Sequence, residues 1–245
     1  MAMISDLQFW TVFISGCALL VSVFPHLKAR FKKGKLKIDK YRTFFITHRV
    51  GSPSLNLHLI FKNVGGAPLS VHEVNLEVTK DKVDKFNLIG NGYLIEPNAQ
   101  YFTILTPFEL KGSETWSHTI SFNELWKRKK QHKYRELESR IRDHIQGQVR
   151  FNPPEPGEFA VAKTEDIISI SKFFEENFLW ESGEYEVAIV VKGEDGKELA
   201  RESFMFTLFE SESDELLSYK EDLKFGFGVH LVPNRIHGIN IDVTQ

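Results

Sequence analysis

The sequence contains a single cysteine, Cys17, among its 245 residues. One cysteine excludes an intramolecular disulfide and any zinc site built from several cysteines. An excess of positive charge is also missing, because 31 Lys and Arg face 33 Asp and Glu and the pI is near 6.5. A globally basic nucleic-acid-binding protein is therefore excluded. With 42% hydrophobic and 13% aromatic residues the chain can bury a core, which excludes wholesale disorder.

Motifs that carry chemistry are missing as well. The nine histidines form no H-x-H or H-E-x-x-H pattern, so no metal site is predicted. The sequence has no G-x-S-x-G nucleophile elbow and no P-loop, and Gly226-Phe227-Gly228 is too short for a dinucleotide-binding loop. We therefore predict that the protein is not an enzyme and binds no cofactor. A catalytic site assembled from distant residues stays open as a third hypothesis.

The most apolar stretch of the chain runs from Leu7 to Phe24, eighteen residues without a charge. At about 1.5 Å of rise per residue, a helix of this length spans about 27 Å, close to the ~30 Å hydrocarbon core of a bilayer. A secretory signal peptide is the alternative. It is disfavoured because the positive charge follows the apolar run and no small-residue cleavage site comes after it. The sequence therefore predicts a transmembrane helix within residues 1–27.

Residues 28–42 form a basic collar, with eight Lys and Arg against one acid, whereas residues 43–245 hold 23 basic and 31 acidic residues. Basic segments stay on the cytoplasmic side of a membrane. The collar therefore predicts a single-pass protein of the cell inner membrane, with its amino terminus outside and residues 43–245 in the cytoplasm. Attraction of about 1 kcal/mol per charge predicts contacts with anionic lipid headgroups, here through Lys28, Arg30, Lys32, Lys33, Lys35 and Lys37.

Polar or small side chains follow one stripe of the predicted transmembrane helix, at spacings of 3, 4, 3 and 4 residues. The stripe consists of Gln8, Thr11, Ser15, Ala18 and Ser22. Three interpretations stay open: a coincidence, a helix–helix interface in a homo-oligomer, and the lining of a narrow pore.

After the collar, hydrophobic residues alternate with polar ones at a period of two, which is typical of β-strands. Leu55, Leu57, Leu59 and Phe61 form one such run, and Glu194-Asp195-Gly196-Lys197 marks a hairpin turn further along the chain. Strands follow strands without helices between them, so a parallel α/β fold is disfavoured. About eight to ten short strands predict an antiparallel β-sandwich.

Two short segments resemble immunoglobulin-like β-sandwich domains of bacteria. Residues 63–71, NVGGAPLSV, resemble the turn between two strands of those domains, and Gly183-Glu184-Tyr185-Glu186-Val187 is similar to their tyrosine corner. The resemblance implies a fold and no functional residue. Together with the patterns above, it predicts a mainly β protein. Its parts are an N-terminal transmembrane helix and an immunoglobulin-like antiparallel sandwich over residues 43–245, with two or three inserted helices.

The inserted helices are predicted from apolar residues at helical spacing. The first is expected from Asn123, as the residue before the helix, to Gln146, with the second near Thr164 and a third over Asp214–Leu223. The first half of the first helix is strongly basic. It is either a solvated face or a binding site for an anionic ligand, with Lys127, Arg128, Lys130, Lys133 and Arg135 as the candidate residues.

Two functions agree with these features. The layout resembles that of small single-pass membrane effectors of bacterial antiviral defence, which implies an oligomeric pore former whose sandwich assembles or senses a ligand. The alternative is a non-catalytic scaffold, tethered to the membrane, that recruits a cytosolic partner through a sheet edge or the basic helix. The expected partners are membrane lipids, further copies of the chain, and a nucleotide, another anionic ligand or a cytosolic protein. Long nucleic acid is not expected.

Overall fold

A computed structural model describes residues 9–11, 13–19, 21–22, 33–233 and 235–243 of the chain. More of these residues lie in β-strands than in helices, so the prediction of a mainly β protein is confirmed at that level. The strands are β1 (Leu36–Lys40), β2 (Thr43–Arg49), β3 (Ser52–Asn63), β4 (Leu69–Val71), β5 (Glu73–Lys80), β6 (Asp84–Tyr93), β7 (Thr103–Ile104), β8 (Phe108–Leu110), β9 (Thr115–Asn123), β10 (Gly183–Lys192), β11 (Glu198–Leu208) and β12 (Gly238–Asp242). The helices are α1 (Arg128–Phe151), α2 (Thr164–Glu175), α3 (Glu210–Ser218) and a 3₁₀ helix (Tyr219–Phe225).

Ten of the strands form one main sheet, in the order β11-β10-β5-β6-β9-β3-β2-β12, with β1 beside β3 and β7 beside β6. Strands β4 and β8 form a separate pair. All of these ladders are antiparallel. The period-two patterns explain the arrangement, because alternate side chains of a strand point to opposite faces of the sheet. In β3 the buried side chains are Leu55, Leu57, Leu59 and Phe61, as the sequence predicts.

The main sheet curls on itself rather than forming the two separate sheets of the predicted sandwich. Its register shifts between Gly90 and Gly92, where β6 passes from β5 to β9, and such a bulge increases the local twist. A side chain at Gly90 would collide with the carbonyl oxygen of Val74, since a Cβ atom there would lie 2.6 Å from it. The curl brings β2 close to β11, and the ring centres of Phe44 and Phe204 lie 5.4 Å apart. The contact closes the apolar interior of the sheet between these two strands.

Helices α1 and α2 form a second layer with its own apolar cluster, at the end of the sheet where β2 turns into β3. Ile141, Ile170 and Phe174 are fully buried in this cluster. The turn consists of Val50 and Gly51, both with positive φ. A side chain at Gly51 would overlap the carbonyl of Phe174, so glycine lets α2 approach the turn closely.

The helix boundaries differ in part from the prediction. Asn123 does not cap α1, because it is the last residue of β9, where it pairs with Ser54. The helix begins five residues later and continues beyond Gly147 to Phe151. Helix α2 starts at Thr164, where the sequence predicts it. The third helix starts earlier than predicted, at Glu210, because the Glu212 carboxylate accepts a hydrogen bond from the Phe209 backbone N–H at 2.8 Å.

The predicted transmembrane helix is contradicted. Helical positions near the amino terminus are described at residues 9–11, 13–19 and 21–22. Within the described ranges, no helix combines the length and the apolar character needed to cross a membrane. A span requires about 20 consecutive apolar helical residues, and an apolar sequence does not by itself produce a helix of that length. The predictions that depended on the span are therefore wrong: a single-pass protein, a location in the inner membrane, and a pore.

Candidate functional site

The residues predicted to line a pore or an interface lie partly outside the described chain. Gln8 is not among the described residues, and Thr11, Ser15, Ala18 and Ser22 occupy exposed helical positions. Of the predicted headgroup contacts, Lys28, Arg30 and Lys32 lie outside the described residues too. Lys33 and Lys35 lie just before β1, and Lys37 belongs to β1 and forms an ion pair with Asp39 at 3.0 Å. Their contact with lipid headgroups stays a prediction.

The predicted basic residues do lie together, at the start of α1. One face of this helix is buried through Tyr134, Leu137, Ile141 and Ile145, which recur at helical spacing. The opposite face is thereby held toward solvent. Lys127 immediately precedes the helix, and Arg128, Lys130, Lys133 and Arg135 occupy its first two turns.

Ion pairs divide the basic residues of α1 into two groups. Lys130 bonds the Glu124 carboxylate at 2.5 Å, and Lys133 bonds that of Glu176 at 2.8 Å. The hydrogen bond from Lys133 lowers the pKa of Glu176. These two lysines therefore link the helix to neighbouring segments, and their positive charge is largely neutralised by the two carboxylates. Both were predicted to bind an anion. The sequence did not reveal the partner of Lys133 because Glu176 is distant along the chain, whereas Glu124 lies close to Lys130 in the sequence.

The second group consists of exposed cations for which the described residues provide no acidic partner within 4 Å. Its members are Lys127, Arg128, Lys129 and Arg135. We call them the free cations of α1. The first turn of the helix contains no acidic residue, and no side chain caps its backbone N–H groups. The positive end of the helix dipole therefore adds to their charge.

Arg49 joins this surface from strand β2 and was not predicted. Its guanidinium carbon lies 4.6 Å from the ring centre of Trp126 and 4.9 Å from that of Tyr134. Both rings are held in place: the Trp126 indole N–H donates to the Ser52 hydroxyl at 2.8 Å, and the Tyr134 hydroxyl donates to the Val229 carbonyl at 2.8 Å. Burial raises the pKa of Tyr134, so its hydroxyl keeps its proton. No sequence signal links Arg49 to α1, because the two are almost eighty residues apart.

The structure also gathers histidines that the sequence scatters. His48 and His237 lie 6.4 Å apart between ring centres, and the ring of Tyr219 stacks on His237 at 4.6 Å. The His237 ring nitrogen Nε2 lies 2.8 Å from the Asp222 carboxylate, which also accepts a hydrogen bond from Arg235 at 2.9 Å. Burial raises the pKa of Asp222, but these two hydrogen bonds outweigh it and the net shift is downward.

The hydrogen bonds of this histidine cluster are of the kind that hold neighbouring segments of a fold together. Burial lowers the pKa of His48 to about 4, so its ring is neutral near pH 7. The His48 Nε2 atom bonds the Leu216 carbonyl at 3.1 Å, and within residues 33–233 and 235–243 neither His48 nor His237 is bonded to a hydroxyl. An activated serine or threonine needs such a bond to a histidine. The described residues also contain no group of three or more metal-ligating side chains placed to hold an ion.

Comparisons with known proteins reveal no close relative. No family model and no curated protein matches the chain. One solved structure to which it is similar is the alkylpurine DNA glycosylase AlkC of Pseudomonas fluorescens bound to DNA containing an abasic site analog, at 11% identity and a TM-score of 0.28. The similarity covers 74% of this chain and 32% of that one. The chain thus spans about a third of the glycosylase, and a likeness at this level carries no conclusion about its fold or function.

Proposed function

We propose that the protein is a non-catalytic binding module that recruits a phosphate-bearing chain through the exposed face of α1. The observation that carries this proposal is the set of free cations: Lys127 just before α1 and three exposed side chains at its start, none of which has an acidic partner among the described residues. Unpaired cations concentrated on a protein of net charge −2 favour the encounter with a polyanion over the encounter with other surfaces.

The side chains favour phosphate over carboxylate as the group that is bound. Arginine presents a planar fork of donors that matches two phosphate oxygens at once. Arg128 and Arg135 lie seven residues apart and therefore on the same side of α1, about 10 Å apart along its axis. Arg49, held against two rings, lies near the start of the same helix. Successive phosphate groups of a flexible chain can occupy such a row of cations.

The rings near the free cations do not favour recognition of nucleic-acid bases. Trp126 is engaged by Ser52 through its N–H and by Arg49 over its ring, and Tyr134 is buried. Stacking of bases needs aromatic faces that are open to the ligand. The ligand is therefore recognised through its phosphates, with little preference for what lies between them.

The test measures binding of inorganic polyphosphate and of a fluorescent single-stranded oligothymidylate by anisotropy, across a range of salt concentrations. Each neutralised phosphate contributes about 0.7 to the slope of log K against log salt for single strands. Four or five contacts predict a slope of about −3. Replacing the free cations by glutamine (K127Q, R128Q, K129Q and R135Q together) should reduce this slope to near zero and weaken binding at least tenfold.

The matched control removes four cations that have acidic partners elsewhere on the surface: K62Q, K192Q, K197Q and R201Q. It changes the net charge by the same amount, so it should retain most of the binding if position decides. Polyglutamate serves as the carboxylate comparison and should bind more weakly than polyphosphate. Equal losses in the two quadruple variants, with both folded, would show that only net charge matters and would overturn the proposal.

A further inference from the structure

We propose that a groove on the outer face of the main sheet binds a small uncharged ring compound that offers hydrogen-bond donors, such as a sugar or a nucleoside. The groove encloses about 780 Å³, within the usual range of small-molecule sites. Its floor is formed by strands β12, β2, β3 and β9, and the segment of residues 94–102 forms one wall. It is distinct from the α1 surface and does not depend on the function proposed for it.

The apolar part of the groove includes three aromatic side chains that are at least partly exposed. Tyr41 is 62% exposed at the break between β1 and β2, and Phe102 is 41% exposed in the wall. Phe45 projects from β2 and lies over Gly238 of β12, where any side chain would overlap its ring. An aromatic face packs well against the flat C–H face of a sugar or against a base.

The polar part consists of amides, hydroxyls and one imidazole. Asn56 and Asn240 flank Phe45 on the neighbouring strands β3 and β12, in direct register with it. The ring nitrogens of His58 lie 3.1 Å from the Thr119 hydroxyl and 3.0 Å from the Ser117 hydroxyl. Burial lowers the pKa of His58, which keeps the ring neutral near pH 7.

No lysine, arginine, aspartate or glutamate lines the groove among the residues that the structure describes. A charged ligand would have to leave water without a compensating partner, which is costly. The lining therefore selects an uncharged molecule, in contrast to the free cations of α1.

Asn56 gives the most specific indication of a ligand. Its side-chain oxygen is buried and has no hydrogen-bond partner among the described residues. A buried acceptor without a donor is unfavourable, and a donor supplied by a ligand would remove this penalty. Sugars and nucleosides both carry O–H or N–H donors next to a flat apolar face, which is the combination that Asn56, Phe45 and Tyr41 present.

The test titrates ¹⁵N-labelled protein with two sets of probes at millimolar concentration. One set holds methyl glucoside, methyl galactoside and N-acetylglucosamine, and the other holds adenosine, guanosine, cytidine and uridine. At least one probe should shift the side-chain amide signals of Asn56 and Asn240 together with backbone signals of residues 94–102. The set that contains it identifies the source of the ligand. Absence of such shifts with all seven probes would overturn the proposal.

Variants then connect the binding to the groove. N56L replaces the orphaned acceptor by an apolar side chain of the same branched shape and should weaken binding at least tenfold. N75L is the matched control, because the Asn75 side-chain oxygen is also buried without a partner but lies on β5, away from the groove. If N56L does not fold, F102A replaces it as the test, since this wall residue is partly exposed. Undiminished binding in a folded N56L or F102A variant would contradict the proposal.

Discussion

The face of α1 and the groove over β12, β2, β3 and β9 differ in how their residues come together. The free cations of α1 are neighbours in the sequence and lie on a single helix. The groove draws Tyr41, Asn56, Phe102 and Asn240 from segments that span two hundred residues. A charged surface on one helix can therefore be predicted from a short run of the sequence. A neutral groove formed by the curvature of a sheet cannot, because its residues are far apart along the chain.

The largest effect is expected where the α1 face depends on the apolar cluster beneath it. Ile141 is fully buried on the inner side of α1. I141A should lower the free energy of unfolding by about 2–5 kcal/mol, because it removes buried carbon atoms and leaves a cavity. Urea denaturation monitored by tryptophan fluorescence measures this change. The exposed substitution Q131A is the control and should change stability by less than about 0.5 kcal/mol.

This variant also tests whether the two surfaces are independent. Below the unfolding transition, I141A should weaken polyphosphate binding and leave the amide signals of the groove unchanged. If I141A weakened polyphosphate binding and also changed the amide signals of the groove, the two surfaces would not be independent. The helical layer would then support the groove as well.

Acid should act on the helical layer through His48, whose pKa falls from 6.5 to about 4 because the ring is buried. A lowered folded-state pKa means that the stabilisation is complete above about pH 6.5 and is lost as the pH falls toward 4. The total loss should be about 3 kcal/mol. His58 and His230 also have lowered pKa values and act in the same direction.

The variant H48Q isolates this contribution, because glutamine keeps an N–H donor for the Leu216 carbonyl but does not titrate. Urea denaturation at pH 7 and pH 4.5 should show a smaller difference in stability for H48Q than for the unaltered protein. Identical pH dependence of the two proteins would contradict the assignment to His48.

Salt should separate the two surfaces by their ligands. Raising the concentration from about 50 mM to about 200 mM should weaken polyphosphate binding to α1 by about 50- to 100-fold, since counterions are released from roughly four phosphates. The same change should leave binding of an uncharged probe in the groove within about twofold, because no charge is neutralised there. A strong salt effect on the groove would show that its ligand is charged.

The smallest effect is expected for a cation that already has partners. Arg201 bonds Glu77 at 2.8 Å and Glu198 at 2.9 Å on the exposed outer face of β11. R201Q should cost less than about 1 kcal/mol of stability, since exposed ion pairs are screened by water and salt. It should not alter polyphosphate binding, and thermal denaturation with anisotropy checks both points. A clear loss of binding would extend the anionic site beyond α1.

Much of the fold could be predicted because the sequence repeats local patterns. The alternation in β3 and the buried stripe of α1 follow from the geometry of a strand and a helix. The transmembrane helix was wrong because hydrophobicity was counted without knowing how far the helix extends. Of the residues predicted to bind an anion, Lys127, Arg128 and Arg135 belong to the free cations, whereas Lys130 and Lys133 bond Glu124 and Glu176.

Sequence patterns were sufficient to predict the alternation of β3 and the apolar face of α1. They also predicted that α1 carries a concentration of positive charge, since all of these properties depend on neighbours along the chain. Three features depend on how the chain folds: Arg49 lies over Trp126, Glu176 pairs with Lys133, and a neutral groove lies beside Asn56. The physical reason is that charge pairing and cavities depend on distances in space, and the curl of the sheet sets those distances between residues remote in sequence.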